Sequence, residues 1–225
     1  MKKCKDLEGQ KGHSFNHSQL IASMHDLFIA GFETSVTTLL WSVLYLCNKP
    51  EIQDEVYREI AAELGRPPRW EDRHKLPYTN AVIMEIQRYA DIGPFAVFHR
   101  TLEDTMLAGY HIPRDTFVIV NLWTAMKDPK LFPNPEVLDP TRFLDESDPI
   151  ELKKRKDTVI PFSMGKRACL GEGLARMELF LFFSTLIFNF KFKFPEDGFK
   201  PPMNVTPLAG LVLAPPAYRV CLEPR

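Results

Sequence analysis

Apolar residues recur at helical spacing with little interruption from Gln19 to about Asn48, and they predict a helix of about 45 Å that would cross a whole domain. Pro50 at a helix start and Gly65 beyond its end bracket a second helix, Glu51 to Leu64, with alternating charges on its outer face. Tyr78 to Tyr89 reads as a third helix. From Phe95 to Val120 apolar and polar residues alternate between the turn signals Ala108-Gly109 and Pro113-Arg114-Asp115, the pattern of a small antiparallel sheet. Asp128 to Phe143 holds Pro129, Pro133, Pro135 and Pro140 and reads as a meandering loop, with the basic run Lys153 to Lys156 on its far side. Glu172 to about Phe188 is a last long helix of mostly apolar residues, and Phe190 to Leu222 offers short strands joined by proline turns. Helices, sheet, loop, helix and sheet in that order predict a mainly α (α+β) architecture, with no internal repeat and no clear domain boundary.

Composition narrows the classes. With 225 residues, 45% hydrophobic, 25% charged and a net charge of -1, the chain has material for a core and none of the charge excess of a nucleic-acid binder. The nineteen prolines concentrate after Asp128, which implies long irregular stretches of the kind that serve a site. Cys4, Cys47, Cys169 and Cys221 are too scattered for a zinc site or a secreted disulfide framework, so a reducing compartment is expected. Residues 1–18 read as a polar, basic tail without the apolar core of a secretory signal. Leu27 to Cys47 is long enough to span a bilayer, but it carries Glu33 among Thr34, Ser35, Thr37, Thr38 and Ser42. A carboxylate at mid-membrane costs about 3 kcal/mol, so the expected setting is a helix buried in protein.

Three constellations carry chemistry. Cys169 is framed by Gly165 and Gly171, stands two residues from Arg167 and precedes an amphipathic helix. A thiol in an exposed, electropositive loop suits a metal ligand better than a core cysteine, although a lone buried structural cysteine is the commoner case. Glu85 and Arg88 are spaced to pair on one helix face, as many solvated surface pairs do. Ala30-Gly31-Phe32-Glu33-Thr34-Ser35 puts a glycine, at about 1 kcal/mol relative to alanine, in the middle of the long helix beside an acid and hydroxyls. The plain alternative there is a threonine-rich helix whose hydroxyls bond back to the preceding turn.

The run Phe162-Ser163-Met164-Gly165-Lys166-Arg167-Ala168-Cys169-Leu170-Gly171 resembles the haem-binding loop of the cytochrome P450 family at Phe162, Gly165, Arg167, Cys169 and Gly171, every fixed position of that pattern. The continuation Glu172 to Phe180 resembles the animal microsomal branch, family 2, that oxidises drugs, steroids and fatty acids. The resemblance implies haem b (iron protoporphyrin IX) with Cys169 as axial thiolate, glycines that let the backbone approach the macrocycle, and a ligand that favours oxygen activation. It further implies that Glu85, Arg88 and Arg142, the last in the Pro140 to Phe143 loop, form a buried ionic network of structural role. Ala30 to Ser35 resembles the family's oxygen-binding motif, in which Thr34 would bond bound dioxygen and a water while Glu33 helps relay protons. Arg167, with His99 and Arg100, would hold the propionates; Phe98 replaces a usual proline before His99, and a lone histidine there is as readily a satisfied core residue.

By the same resemblance, the substrate would meet Ala30 and Thr34, the segment Ile92 to Val97 including Phe95 and Ala96, and Gly210, Leu211 and Val212, a mostly apolar wall that suits a lipophilic molecule. Lys153, Lys154, Arg155, Lys156, Lys166 and Arg176 could steer an acidic electron donor; for residues 153–156 a plain solvated face is the simpler reading. The implied reaction is hydroxylation or epoxidation of a xenobiotic, steroid or fatty acid with molecular oxygen, using NADPH electrons through a flavoprotein reductase and cytochrome b5. A haem-thiolate isomerase or dehydratase is disfavoured by Gly31, Glu33 and Thr34. The resemblance runs from about Gln19 to the C-terminus but matches the C-terminal half of the family's fold, so residues 19–225 read as a partial domain. The full-length parent is expected at the cytoplasmic face of the endoplasmic reticulum membrane, with its anchor outside this chain. The alternative function is a truncated product, haem-binding or haem-free, without turnover.

Overall fold

A computed structural model describes residues 16–210 and 212–225. Most of the expected tail 1–18 therefore lies outside the described residues, but His17 and Ser18 already belong to the first helix, α1 (His17–Asn48). Its start is set by a residue the hydrophobic pattern does not show: Asn16 takes an extended conformation and its Oδ1 accepts the Gln19 amide at 2.8 Å. At 32 residues α1 is about 48 Å long.

The expectation that this helix is buried holds for half of it. Thr37, Thr38, Trp41, Ser42, Leu44, Tyr45 and Leu46 are buried, whereas Met24, Phe28 and Phe32 expose 62%, 69% and 60% of their surface. The apolar pattern continues through the exposed half because periodicity records which residues seek cover and not whether these residues supply it.

Three further helices close the core around the buried half. α2 (Pro50–Glu63) presents Ile52, Val56 and Ile60 at four-residue spacing and ends at Gly65, whose amide caps the carbonyls of Ile60 and Ala61. After a 3-10 turn at Trp70–Lys75, α3 (Pro77–Ala90) begins against Glu59, whose carboxylate accepts the Tyr78 and Thr79 amides at 2.7 and 2.8 Å and the Thr79 hydroxyl at 2.6 Å. A residue of α2 thus caps α3 and fixes the angle between them.

The expected single sheet between Phe95 and Val120 is two separate ladders. β1 (His99–Arg100) pairs with β4 (Phe117–Val118), and β2 (Thr105–Leu107) forms a hairpin with β3 (Tyr110–Ile112). Pro113 has no amide to donate and Asp115 is left-handed at φ 64°, so the ladder breaks between β3 and β4. The hairpin turn is the one the sequence signals: Ala108 and Gly109 both have positive φ, 50° and 85°.

α4 (Leu122–Met126) leads into the proline meander, which ends in a 3-10 turn at Pro140–Phe143. α5 (Pro149–Thr158) is an element that hydrophobic patterning missed, since only Leu152 is buried on it. Its signal is local: Asp148 caps the Ile150 and Glu151 amides and Pro149 occupies the first turn. The basic run Lys153 to Lys156 therefore lies on a helix instead of in a loop. α6 (Glu172–Asn189) buries Leu179, Phe180, Phe183 and Ile187 and packs mainly against α1 and α2, and β5 (Phe190–Lys193) pairs with β6 (Cys221–Pro224). A second apolar cluster of Ala81, Ala96, Leu122, Met126, Phe132, Phe143 and Val159 sits under the meander.

Candidate functional site

The cysteine loop joins α5 to α6. Ser163 and Gly165 both take positive φ, 59° and 81°, which reverses the chain into a 3-10 turn at Gly165–Arg167, and the loop is closed by the Cys169 amide donating to the Phe162 carbonyl at 2.9 Å. Gly165 is the position that needs glycine: nothing lies within 4 Å of where its Cβ would stand, so the constraint is its backbone conformation. Cys169 is a free, exposed thiol three residues before α6, whose positive dipole end favours negative charge nearby. A Cβ at Gly171 would sit 4.0 Å from the Cys169 Sγ, so this glycine keeps the ground beside the sulfur clear. Lys166 and Arg167 are exposed beside it.

Arg176 is not a free cation of this surface. Its Nε bonds Glu172 at 2.8 Å and its guanidinium lies 5.0 Å from the Phe162 ring centroid, so it braces the loop's first residue against the first turns of α6.

Glu85, Arg88 and Arg142 meet in the interior. Arg88 forks onto Glu85 with Nε–Oε2 at 2.7 Å and Nη2–Oε1 at 2.8 Å, and Arg142 Nε reaches Glu85 Oε1 at 3.2 Å. The Asp139 amide adds a bond to Oε1 at 2.9 Å. Glu85 and Arg88 are 0% exposed and Arg142 7%. Two guanidinia on one carboxylate leave an excess positive charge, and backbone carbonyls absorb it: Met126, Pro135 and Val137 accept from Arg88, and Pro133 and Val137 from Arg142. The prolines thus hold the meander open in a form that turns its carbonyls inward, and the ion cluster organises a loop that has no ladder of its own.

Arg155 extends this arrangement. It departs from the solvated face expected of residues 153–156: its Nε donates to the Leu131 carbonyl at 2.9 Å and its Nη1 to the Arg142 carbonyl at 2.7 Å. The signal that could have separated it from its neighbours is its place on an α5 face one turn from Leu152.

On α1, Thr34 is half-buried and its hydroxyl donates to the Ala30 carbonyl at 2.8 Å; Ala30, Gly31 and Glu33 are exposed. A Cβ on Gly31 would meet nothing within 4 Å. Ser35 instead reaches another element, donating to Glu178 Oε2 on α6 at 3.2 Å. Sequence reasoning singled out neither Ser35 nor Glu178 for that contact, because the two are 143 residues apart.

The segments expected to wall a substrate partly converge. The Leu213 amide donates to the Ile92 carbonyl at 2.8 Å, and the Trp41 indole donates to the Leu213 carbonyl at 2.8 Å, so the end of α3, the C-terminal hairpin bridged at Leu208 and Ala214, and α1 share a junction. Ile92 is half-buried, Ala96 and Val212 are buried, and Phe95, Val97 and Gly210 are exposed; Leu211 lies outside the described residues. Ala96 belongs to the second apolar cluster.

His99 is half-buried, and its Nδ1 is buried with no hydrogen-bond partner among the described residues. Arg100 is exposed and pairs with Asp115 at 3.2 Å. At the end of α3, Asp91 is left-handed at φ 39° and 2% exposed, and neither carboxyl oxygen finds a partner among the described residues. Burial pushes its carboxyl up to about 7, with Lys127 opposing the shift. Lys127 is itself pushed down by burial; it reaches Glu136 at 3.6 Å and stacks 4.4 Å from the Tyr89 ring centroid.

The uncommitted Cys169 thiol on an outward loop, with the exposed Arg167 guanidinium two residues away, fits an anionic metalloporphyrin with one axial protein ligand; His99 lies on a different element, β1, paired with β4.

A family model for cytochrome P450 matches residues 1–222. Human cytochrome P450 2U1 is 42% identical over 214 residues, 94% of this chain and 38% of that protein. Mouse cytochrome P450 2J5 is 44% identical, over 94% of this chain and 41% of its own length, and human cytochrome P450 2C8 is 43% identical, over 93% and 42%. The chain thus spans about two fifths of the length of these curated relatives. A zebrafish cytochrome P450 solved with progesterone superimposes with a TM-score of 0.85 at 34% identity, covering 96% of this chain and 49% of that one. A second zebrafish structure, with abiraterone, matches equally at 0.85 and 35% identity.

Proposed function

This chain belongs to the cytochrome P450 family, and from that premise we propose that it carries the thiolate-ligating part of a haem-dependent monooxygenase acting on a lipophilic substrate. The observation that carries the reading is Cys169: an exposed thiol held by the Phe162 carbonyl and the left-handed Gly165 just ahead of α6. An iron porphyrin held by such a thiolate supplies activation of molecular oxygen, the electron-rich sulfur favouring O–O cleavage. The overall balance is one oxygen atom into the substrate and one into water, with two electrons and two protons consumed. NADPH would supply the electrons through a flavoprotein reductase, with cytochrome b5 as a further donor.

The chain's own residues have separate tasks. Cys169 binds the metal, and Arg167 with His99 binds the propionates; Arg100 serves that role by exchanging its surface partner Asp115. Thr34 has its hydroxyl proton on the Ala30 carbonyl, which leaves the oxygen lone pairs free to accept a proton-bearing water, and the exposed Glu33 one residue away can exchange protons with solvent. Ile92, Phe95, Val97 and Gly210 give an apolar surface with few polar anchors, which orients a lipophilic molecule by shape. The Glu85, Arg88 and Arg142 cluster is structural. In the whole protein this unit would work at the cytoplasmic face of the endoplasmic reticulum membrane, as expected of microsomal enzymes acting on xenobiotics, steroids or fatty acids.

A second reading, haem binding without turnover, is favoured by the open face of α1 from Ala30 to Glu33, where water has free access to the motif. The reduced carbon monoxide spectrum of the chain supplied with haem separates the cases. A red-shifted Soret band that Cys169→Ala abolishes supports thiolate ligation; a wild-type chain with no such band overturns it. Product formation with reductase and NADPH then divides the enzyme from the non-catalytic reading.

A further inference from the structure

Among the described residues, the oxygen-motif helix and the cysteine helix are joined by one polar contact beside Thr34. Ser35 Oγ donates to Glu178 Oε2 at 3.2 Å, two turns into α6. The contact sits where α1 changes character: residues 21–33 are exposed, Thr34 and Ser35 are half-buried, and Thr37 and Thr38 are buried. Among the described residues, the other polar ties between α1 and the rest of the fold lie further along, at Leu40 to Tyr218, Trp41 to Leu213, Leu46 to Gln53 and Asn48 to Pro201. Thr34 gives its hydroxyl proton to Ala30 of the same helix and so donates to no other element. Glu172 and Arg176 pair with each other on the first turns of α6 and leave Glu178 to Ser35.

We propose that Glu178 is a positioning residue that, through Ser35, fixes the rotation of α1 at its oxygen motif relative to the helix that follows Cys169. The inference rests on the reading of Cys169 and Thr34 given above. Successive helical residues point about 100° apart and residues four apart about 40°, so a rotation of about 40° at Ser35 would swing Thr34 to the direction that Ala30 or Thr38 now faces. Apolar packing of α6 on α1 limits such a rotation by shape, and the Ser35 bond adds a directional constraint at the motif itself. The role requires an acceptor and not a titratable proton, so glutamine can fill it.

Hydrogen exchange at the amides of residues 30–36 tests this in the haem-free chain. Ser35→Ala, Glu178→Ala and the double variant are each expected to speed exchange there by about fivefold, the double no more than the singles, with Glu178→Gln near wild type. With the chain loaded with iron protoporphyrin IX, imidazole affinity is expected to fall by the same about fivefold factor in both alanine variants and to be kept by Glu178→Gln. Unchanged exchange, additive effects, or an equal loss in Glu178→Gln would overturn the proposal. So would altered exchange with unaltered imidazole affinity, since the bond would then be only a strut. A chain that takes up no haem overturns the functional reading instead, and the exchange data still decide whether Glu178 holds the motif.

Discussion

The Arg155 guanidinium donates to the backbone carbonyl of Arg142 at 2.7 Å, so a residue of the surface helix α5 holds the main chain of a residue whose own side chain is locked onto buried Glu85. The link runs in series from α3 through the meander to α5, and α5 leads directly into the cysteine loop. Arg155 also takes the Leu131 carbonyl at 2.9 Å and thereby spans both ends of the meander.

Arg155→Ala is therefore expected to destabilise the chain by about 1–3 kcal/mol, the range for orphaning buried carbonyls, while Lys153→Ala and Lys154→Ala on the same helix change stability by less than about 0.5 kcal/mol. Urea denaturation midpoints check this. Equal effects at the three positions would return Arg155 to the solvated basic run.

Glu85→Ala leaves the Arg88 and Arg142 guanidinia buried without a counter-charge, and a loss of about 3–5 kcal/mol is expected. Arg142→Ala is expected to cost less than Glu85→Ala, because the Arg88 fork onto Glu85 survives. Guanidinium titration of the three variants, followed by circular dichroism, gives the ranking; the opposite order would contradict the geometry.

Asp91 makes stability depend on pH. Its folded carboxyl titrates near 7 against 3.8 for an ordinary aspartate, so between those values the folded chain holds a proton that the unfolded chain releases. The corresponding stability is full below about pH 4 and is lost as pH rises through 7, an amount on the order of 4 kcal/mol. Lys127, Glu136 and Arg88 face this region, and the Lys127 charge opposes the loss. Asp91→Asn cannot ionise and is expected to be more stable than wild type at about pH 8, with a flatter profile down to about pH 5. A variant less stable than wild type at the alkaline end would show that the carboxylate is held by partners after all.

Gly165 has φ 81° with open space where a Cβ would stand, so Gly165→Ala is expected to cost about 1 kcal/mol from backbone strain alone. Because the strain falls on the turn that carries Arg167, haem uptake measured by Soret titration is expected to weaken together with stability. Gly31→Ala is the contrast: a helical position with no atom within 4 Å of the added carbon, expected to gain up to about 1 kcal/mol. Thermal denaturation of both variants reads the difference in sign.

The residues themselves determined the elements whose signals are local. The long helix, the Pro50 to Gly65 helix and the Ala108-Gly109 turn were legible because periodicity, capping and turn chemistry act over a few residues, whereas the spacing of Phe162, Gly165, Arg167, Cys169 and Gly171 spoke only through its resemblance to a family pattern. α5 escaped since its evidence was one cap and one buried leucine, and the split between the two ladders followed from Pro113 and the left-handed Asp115. What only the tertiary structure decided depends on partners far apart in the chain. It bares one half of α1 and buries the other, turns Arg155 from a solvent charge into a clamp, leaves Asp91 without a partner, and sets Ser35 against Glu178. Sequence records what each residue can do; burial and partnership belong to pairs, and the fold alone brings the pairs together.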